Sequence, residues 1–253
     1  MGINDQTTND LTYYYNSFLL KEQDNHKEKY KEFDGWFSAS SAGSCFRKQY
    51  YNVNNYEQTP VDEKSLRLFR LGTIVHADIA KAFETYREDI ESRGLKLFVE
   101  HKVILEDLNV VGHLDVGVYD ENEGLVYVTD VKTTHSYKWK KMFGRTPDKN
   151  PSVNYYLQVA TYGLGLCKEV GEEPENIELS LTWYKKDDSS IKAQRIDNDW
   201  ISQSIKYWLD LKMSLRNDNV PEINSKINSE RVVPIYDWEC KYCPYLNLHC
   251  EGV

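Results

Sequence analysis

The sequence contains no apolar run approaching the roughly 18 residues that a membrane-spanning helix needs, which excludes a helical membrane protein. Its first residues, Met1-Gly2-Ile3-Asn4-Asp5, lack the basic stretch followed by an apolar one that marks a signal peptide. Gln6 stands where a myristoylation pattern needs Ser or Thr. These absences predict an intracellular protein, in the cytoplasm (the host cytoplasm for a viral protein), with no membrane partner. No internal repeat or low-complexity tract is present. Positive charge is short too: 31 Lys and Arg face 40 Asp and Glu, for a net charge of −9. That argues against a general nucleic-acid coat but not against a local site, because an enzyme holds its substrate over a short track. Of only five cysteines, Cys240, Cys243 and Cys250 fall within eleven residues, with Cys45 and Cys167 upstream. Without a secretory signal, this pattern points to a metal or cluster site rather than a disulfide framework.

What is present is enough for a substantial core: 253 residues, 40% hydrophobic and 28% charged. Periodicity predicts a helix from Leu11 to about Phe33 and a short one over 45–51. A longer helix is expected from about Glu63 to Glu91, with Leu68, Leu71, Val75, Ile79, Ala82, Phe83 and Tyr86 as its apolar stripe. Gly72 interrupts that helix and lets another backbone approach, with His76 one turn further on the same face. Alternation predicts strands over Leu97–Leu105, Val110–Tyr119 and Leu125–Lys132. A long loop is expected over 133–152 and a helix over Val153–Val170. Two further strands, about Ile177–Tyr184 and Ser190–Ile196, are followed by a helix from about Asp199 to Arg216 with Trp200, Ile201, Ile205, Trp208, Leu209 and Met213 inward. Residues 217–236 read as irregular. The pattern implies α/β packing, a central mixed sheet flanked by helices.

The chemistry concentrates between Gly112 and Lys132. Asp130 and Lys132 share one face of a strand, with Val126 and Val128 behind them. On the strand before, Asp115 is expected on a face with Val111, His113 and Gly117. Two carboxylates beside an ammonium suit metal-assisted phosphodiester hydrolysis. The acids, with the backbone carbonyl of Val131, hold Mg²⁺ or Mn²⁺, and the lysine orients water or steadies developing negative charge. An isolated Asp-x-Lys is more often a surface ion pair; here the flanking valines favour a cleft. His76 is a candidate further ligand. Gln158 and Tyr162, at i and i+4 on one helix, can present an amide and a phenol to the same place. Glu100 reads equally as a contact of Lys132 and as a solvent-face residue.

The stretch leaving this centre carries Lys138, Lys140, Lys141, Arg145 and Lys149 against Asp148 alone, with Tyr137, Trp139 and Phe143 interleaved. Cations for phosphates and rings for bases make a single-strand binding surface; the bland alternative is a solvated loop. The tail reads C-x2-C-x6-C, and a fourth thiolate is needed for either zinc or a [4Fe–4S] cluster. Cys45 can supply it, with Cys167 the competitor. By spacing alone zinc is the default.

Leu71-Gly72-Thr73-Ile74-Val75-His76, Gly112-His113-Leu114-Asp115, Asp130-Val131-Lys132 and Gln158-x-x-x-Tyr162, in this order, resemble the motifs of the PD-(D/E)XK nuclease superfamily. With Cys45, Cys240, Cys243 and Cys250 they resemble its RecB-like branch, specifically the CRISPR-associated iron–sulfur exonucleases and AddB-type nuclease domains. The resemblance covers about residues 36–250. It implies a restriction-endonuclease-like core at 36–236, after a helical extension at 1–35. A cysteine-cluster segment at 237–253, completed by Cys45, would join the two ends. It implies His76, Asp115 and Asp130 as ligands of Mg²⁺ or Mn²⁺, Lys132 as the catalytic lysine, and Gln158 and Tyr162 near substrate. It also implies a structural [4Fe–4S] cluster in place of zinc. The expected activity is a metal-dependent deoxyribonuclease, an exonuclease preferring single-stranded DNA or single-stranded ends, in recombination, repair, CRISPR adaptation or phage DNA metabolism. The resemblance allows a homo-oligomer. The competing reading is an iron–sulfur or zinc DNA-binding scaffold whose nuclease centre is unused.

Overall fold

The computed structural model describes residues 5–29, 31–147, 152–216, 219–223 and 237–252. Lys149, Asp148 and most of 217–236 lie outside the described residues. The fold is α/β, with a six-stranded mixed sheet. Its strands are β1 (Phe37–Ser38), β2 (Leu95–Leu105), β3 (Val110–Asp120), β4 (Leu125–Thr134), β5 (Ile177–Lys185) and β6 (Ile191–Ile196). The helices are α1 (Asp5–Lys29), α2 (Phe46–Val53), α3 (Glu63–Thr85), α4 (Arg87–Glu91), α5 (Ser136–Phe143), α6 (Val153–Val170), α7 (Asp199–Ser214) and α8 (Asp237–Cys240). No helix of the described residues is long and apolar enough to cross a membrane.

Strand β2 pairs antiparallel with β3 from end to end. The opposite edge of β3 is shared. β1 pairs parallel with Val110 and Val111, while β4 pairs antiparallel with Val116–Asp120 only. Between them, from Gly112 to Asp115, that edge is open. β4 continues beyond Thr129 on β5 alone, in a parallel ladder reaching Thr134. The sheet thus splits where the sequence concentrates its acids.

The core lies between the sheet and α6. β5 shows strict alternation, with Ile177, Leu179, Leu181 and Trp183 buried. α6 is buried without interruption from Tyr156 to Cys167, because the sheet covers one side and α7 the other. A buried polar seam between those helices is satisfied: Trp208 Nε1 donates to Thr161 Oγ1 (2.9 Å), which also pairs with Ser204 Oγ (2.8 Å). α3 starts at Asp62, whose Oδ1 accepts from Ser65 N–H at 3.0 Å. A Cβ on Gly72 would lie 3.4 Å from Thr133 Oγ1, so the glycine lets α3 approach β4 closely.

Several expectations change. The first helix begins earlier and ends at Lys29, followed by a single 3-10 turn over Lys31–Phe33. The long helix breaks at Tyr86 into α3 and α4. Its expected stripe is not a core stripe: Leu68, Leu71 and Tyr86 are exposed, and burial in α3 falls on Leu66 and Ala80. In α7, Leu209 and Met213 are exposed, whereas Ser204, Tyr207 and Leu211 are buried with Ile201 and Trp208. The stretch expected to be a loop over 133–152 contains α5. The two-residue β1 falls in a segment whose composition suits a loop or helix entry.

The face assignment on β3 also changes. Cβ atoms added to Gly112 and to Gly117 would both meet α6, at Tyr162 and Leu166, although their positions have opposite parity. Alternation therefore slips once between them. Glu100, which the register sets opposite Asp115, has a left-handed φ of 47°. Such a conformation cannot continue a regular pleat.

Candidate active site

At the point where β3 parts from β4, the side chain of Asp115 takes over from the backbone ladder. Its Oδ2 accepts from Val131 N–H at 2.6 Å. Its Oδ1 lies 3.3 Å from Nδ1 of His76, delivered by α3 one turn after Gly72. Burial pulls the His76 pKa down, but the Asp115 hydrogen bond and the charges of Asp115 and Asp130 outweigh it, and the net shift is upward.

Asp130 is the most buried acid of the group, at 1% exposure. Burial, reinforced by the Asp115 charge and opposed by Lys132, raises its carboxyl to about 7. Its Oδ2 forms a buried ion pair with Lys132 Nζ at 2.6 Å. Lys132 Nζ also donates to Gln158 Oε1 at 2.8 Å. The Gln158 amide donates to Asp130 Oδ1 (3.3 Å) and to the Tyr162 hydroxyl (3.0 Å). Tyr162 packs against bare Gly112, where a Cβ would come within 2.8 Å of its ring and 2.6 Å of Ala39 Cβ. Only glycine fits that position. His76, Asp115, Asp130, Lys132, Gln158 and Tyr162 thus meet in one connected group drawn from α3, β3, β4 and α6.

Two carboxylates, an imidazole and a backbone carbonyl are hard oxygen and nitrogen donors, the set suited to Mg²⁺ or Mn²⁺. Asp130 Oδ2 already faces one cation, the Lys132 ammonium, so the buried carboxylate is set toward positive charge. As they stand, though, no three His, Cys, Asp or Glu side chains among the described residues gather closely enough to hold an ion. Asp130 is turned to Lys132 and Gln158 while Asp115 is turned to His76 and Val131.

The chain is matched by the sequence profile of the PD-(D/E)XK nuclease superfamily over residues 75–248, which takes in all six of these residues. It belongs to that superfamily. The fold agrees: the crystal structure of SSO0001 superposes with a TM-score of 0.52 at 15% identity, covering 94% of this chain and 96% of the other. An alkaline exonuclease from Laribacter hongkongensis has a TM-score of 0.47 at 13% identity, covering 76% and 93%. The sequence matches no curated protein.

In this superfamily member the basic-aromatic stretch is the helix α5, capped from a distance: Ser136 N–H donates to Asp187 Oδ2 (2.8 Å) in the β5–β6 turn. Lys138 Nζ lies 4.2 Å from the Tyr155 ring centre, and Lys132 Nζ lies 4.7 Å from it. α5 is therefore joined to the acid centre through one ring. Lys140, Lys141 and Arg145 are exposed, and Trp139 is half-buried. Sequence reasoning missed that Lys185 and Lys192 extend this surface, facing Trp139 and Phe143 at 6.0 and 4.4 Å. Only the pairing of β5 and β6 brings them there.

Cys45, Cys240, Cys243 and Cys250 line one cavity of about 60 Å³. All four are half-buried, and none of them is in a disulfide. Burial pushes the Cys45 thiol up, against backbone hydrogen bonds from Lys48 and Arg47. Tail and α2 region are tied beside it: Tyr51 donates to His249 O (2.6 Å), Gln58 to the Tyr245 hydroxyl (2.7 Å), and Thr59 N–H to Pro244 O (2.9 Å). Cys167 stands apart in α6, its thiol donating to Glu172 O at 3.0 Å and pushed up to about 11 by burial.

Proposed function

We propose that the chain is a divalent-metal-dependent deoxyribonuclease acting from single-stranded DNA ends. The observation that carries this is the buried group of Asp130, Lys132 and Gln158 meeting Asp115 and His76 at the split in the sheet. A surface ion pair would not bury its carboxylate to 1% exposure. His76, Asp115, Asp130 and the Val131 carbonyl would hold Mg²⁺ or Mn²⁺, which supplies charge neutralisation and a more acidic water. The chain's own residues do the rest. Asp115 is braced by Val131 N–H and His76. Lys132, steered by Gln158, places its ammonium where negative charge grows on the phosphate or where a water must be oriented. Tyr162 fixes Gln158. Lys138, Lys140, Lys141, Arg145 and Trp139 on and beside α5 engage the strand's phosphates and bases. Activity on blocked ends tests the mode: linear single strands are expected to be degraded and circular ones spared. Cleavage of circles at the same rate contradicts end-dependence.

We further propose a [4Fe–4S] cluster on Cys45, Cys240, Cys243 and Cys250, holding the two chain ends together. Four thiols lining one cavity support a shared metal or cluster site, and the choice of a cluster over zinc rests on the resemblance of the cysteine pattern. Protein purified without oxygen should be brown with about four irons per chain; colourless protein with stoichiometric zinc contradicts the cluster.

A further inference from the structure

A trench of about 860 Å³ shares Tyr162 with the acid centre, and the nuclease reading leaves it unused. It is lined by Gly112 and His113 of β3, by Tyr162, by the segment at Trp36, and by the end of α2 and the turn after it at Asn52 and Tyr56. The lining is continuous with the centre, because Tyr162 receives the Gln158 amide that also engages Asp130.

The trench differs in chemistry from α5. Among the described residues, one cation, Lys31, and one carboxylate, Asp34, line it, and Asp34 is already held by Asn55 Nδ2 at 2.9 Å. Its other polar groups are amides, hydroxyls and an imidazole, and its aromatic wall includes an indole. Trp36 is half-buried and fixed edge-on to Phe33 (5.4 Å, 72°), whose ring lies under Lys102 Nζ at 5.1 Å. A near-neutral wall of fixed rings and amides has little to offer a phosphate backbone. It suits the faces and edges of nucleobases.

We propose that this trench takes the unpaired bases of the strand whose phosphate lies at the acid centre, with Trp36 as stacking platform. In a duplex both faces of each base are covered by neighbours, so the trench selects single strands. The lysines of α5 hold phosphates, and the near-neutral trench takes bases. The proposal rests on the nuclease reading.

The test uses the full-length protein with divalent ions chelated, and two fluorescent oligonucleotides of equal length and charge, one with thymine bases and one abasic. Wild type should bind the thymine strand at least about tenfold more tightly, the scale of one or a few stacked bases. Trp36→Ala should cut the preference for the thymine strand several-fold and leave abasic binding unchanged, whereas Trp36→Phe should retain most of the preference. Equal binding of both strands by wild type, or equal loss on both in Trp36→Ala, overturns the proposal. A parallel arm adds Mg²⁺ or Mn²⁺ and reads cleavage. Cleavage without base preference overturns the trench alone; a protein that neither binds nor cuts overturns the nuclease reading with it.

Discussion

Replacing Asp130 by asparagine is expected to stabilise the metal-free protein and inactivate it. Burial holds the Asp130 carboxyl near 7, against 3.8 for a free one. For an acid raised on folding, the protonated form favours the native state. That advantage is complete below the unfolded value and is lost as pH rises through the folded one. The gap of about three pH units amounts to a cost of about 4 kcal/mol above pH 7, about 2 kcal/mol at pH 5, and under about 1 kcal/mol at pH 4. Asparagine keeps the shape and never ionises, so Asp130→Asn should exceed wild type by roughly those amounts. Urea unfolding in chelator at pH 5 and pH 8 measures this: the midpoint advantage of the variant should be larger at pH 8. The variant also loses a carboxylate ligand, so Mn²⁺ should raise the wild-type midpoint and leave the variant's in place. Equal midpoints at pH 8 in chelator would refute the argument that a costly buried charge is kept at this position.

Gly112→Ala should cost about 1–3 kcal/mol by overpacking against Ala39 and Tyr162, and should lower activity further by shifting the Tyr162–Gln158–Lys132 chain; denaturant midpoint and turnover check both. Asp187→Ala removes the acceptor at the start of α5, at about 1 kcal/mol of local stability, and should speed amide exchange in 136–143 without altering the core. Neutralising Lys138, Lys140 and Lys141 together should flatten the salt dependence of single-strand binding, by about 0.7 in the log–log slope for each phosphate that is no longer neutralised.

That these candidate residues lie together was legible because their signals are local. Alternation around Val126, Val128 and Asp130 fixes which way Lys132 points, and helical spacing joins Gln158 to Tyr162. The strands of the meander were legible for the same reason. What escaped depends on partners distant in sequence. α5 is only eight residues long and is capped by Asp187, which lies 51 residues beyond Ser136. Lys185 and Lys192 reach the basic surface only through β5 and β6. The slip between Gly112 and Gly117 follows a left-handed Glu100 in the neighbouring strand, which no local pattern announces. The apolar repeat of α3 identified the helix, yet its buried face falls on Leu66 and Ala80, because periodicity gives a stripe and not what covers it.

Cleavage of end-labelled single-stranded DNA in Mg²⁺ or Mn²⁺, by wild type and by Lys132→Ala and Asp115→Ala of unchanged far-ultraviolet circular dichroism, tests the central claim most directly. Wild type should degrade the strand only with the ion present, and both variants should be inactive. Cleavage persisting in either folded variant would contradict the assignment of the Asp115–Asp130–Lys132 group as the nuclease centre.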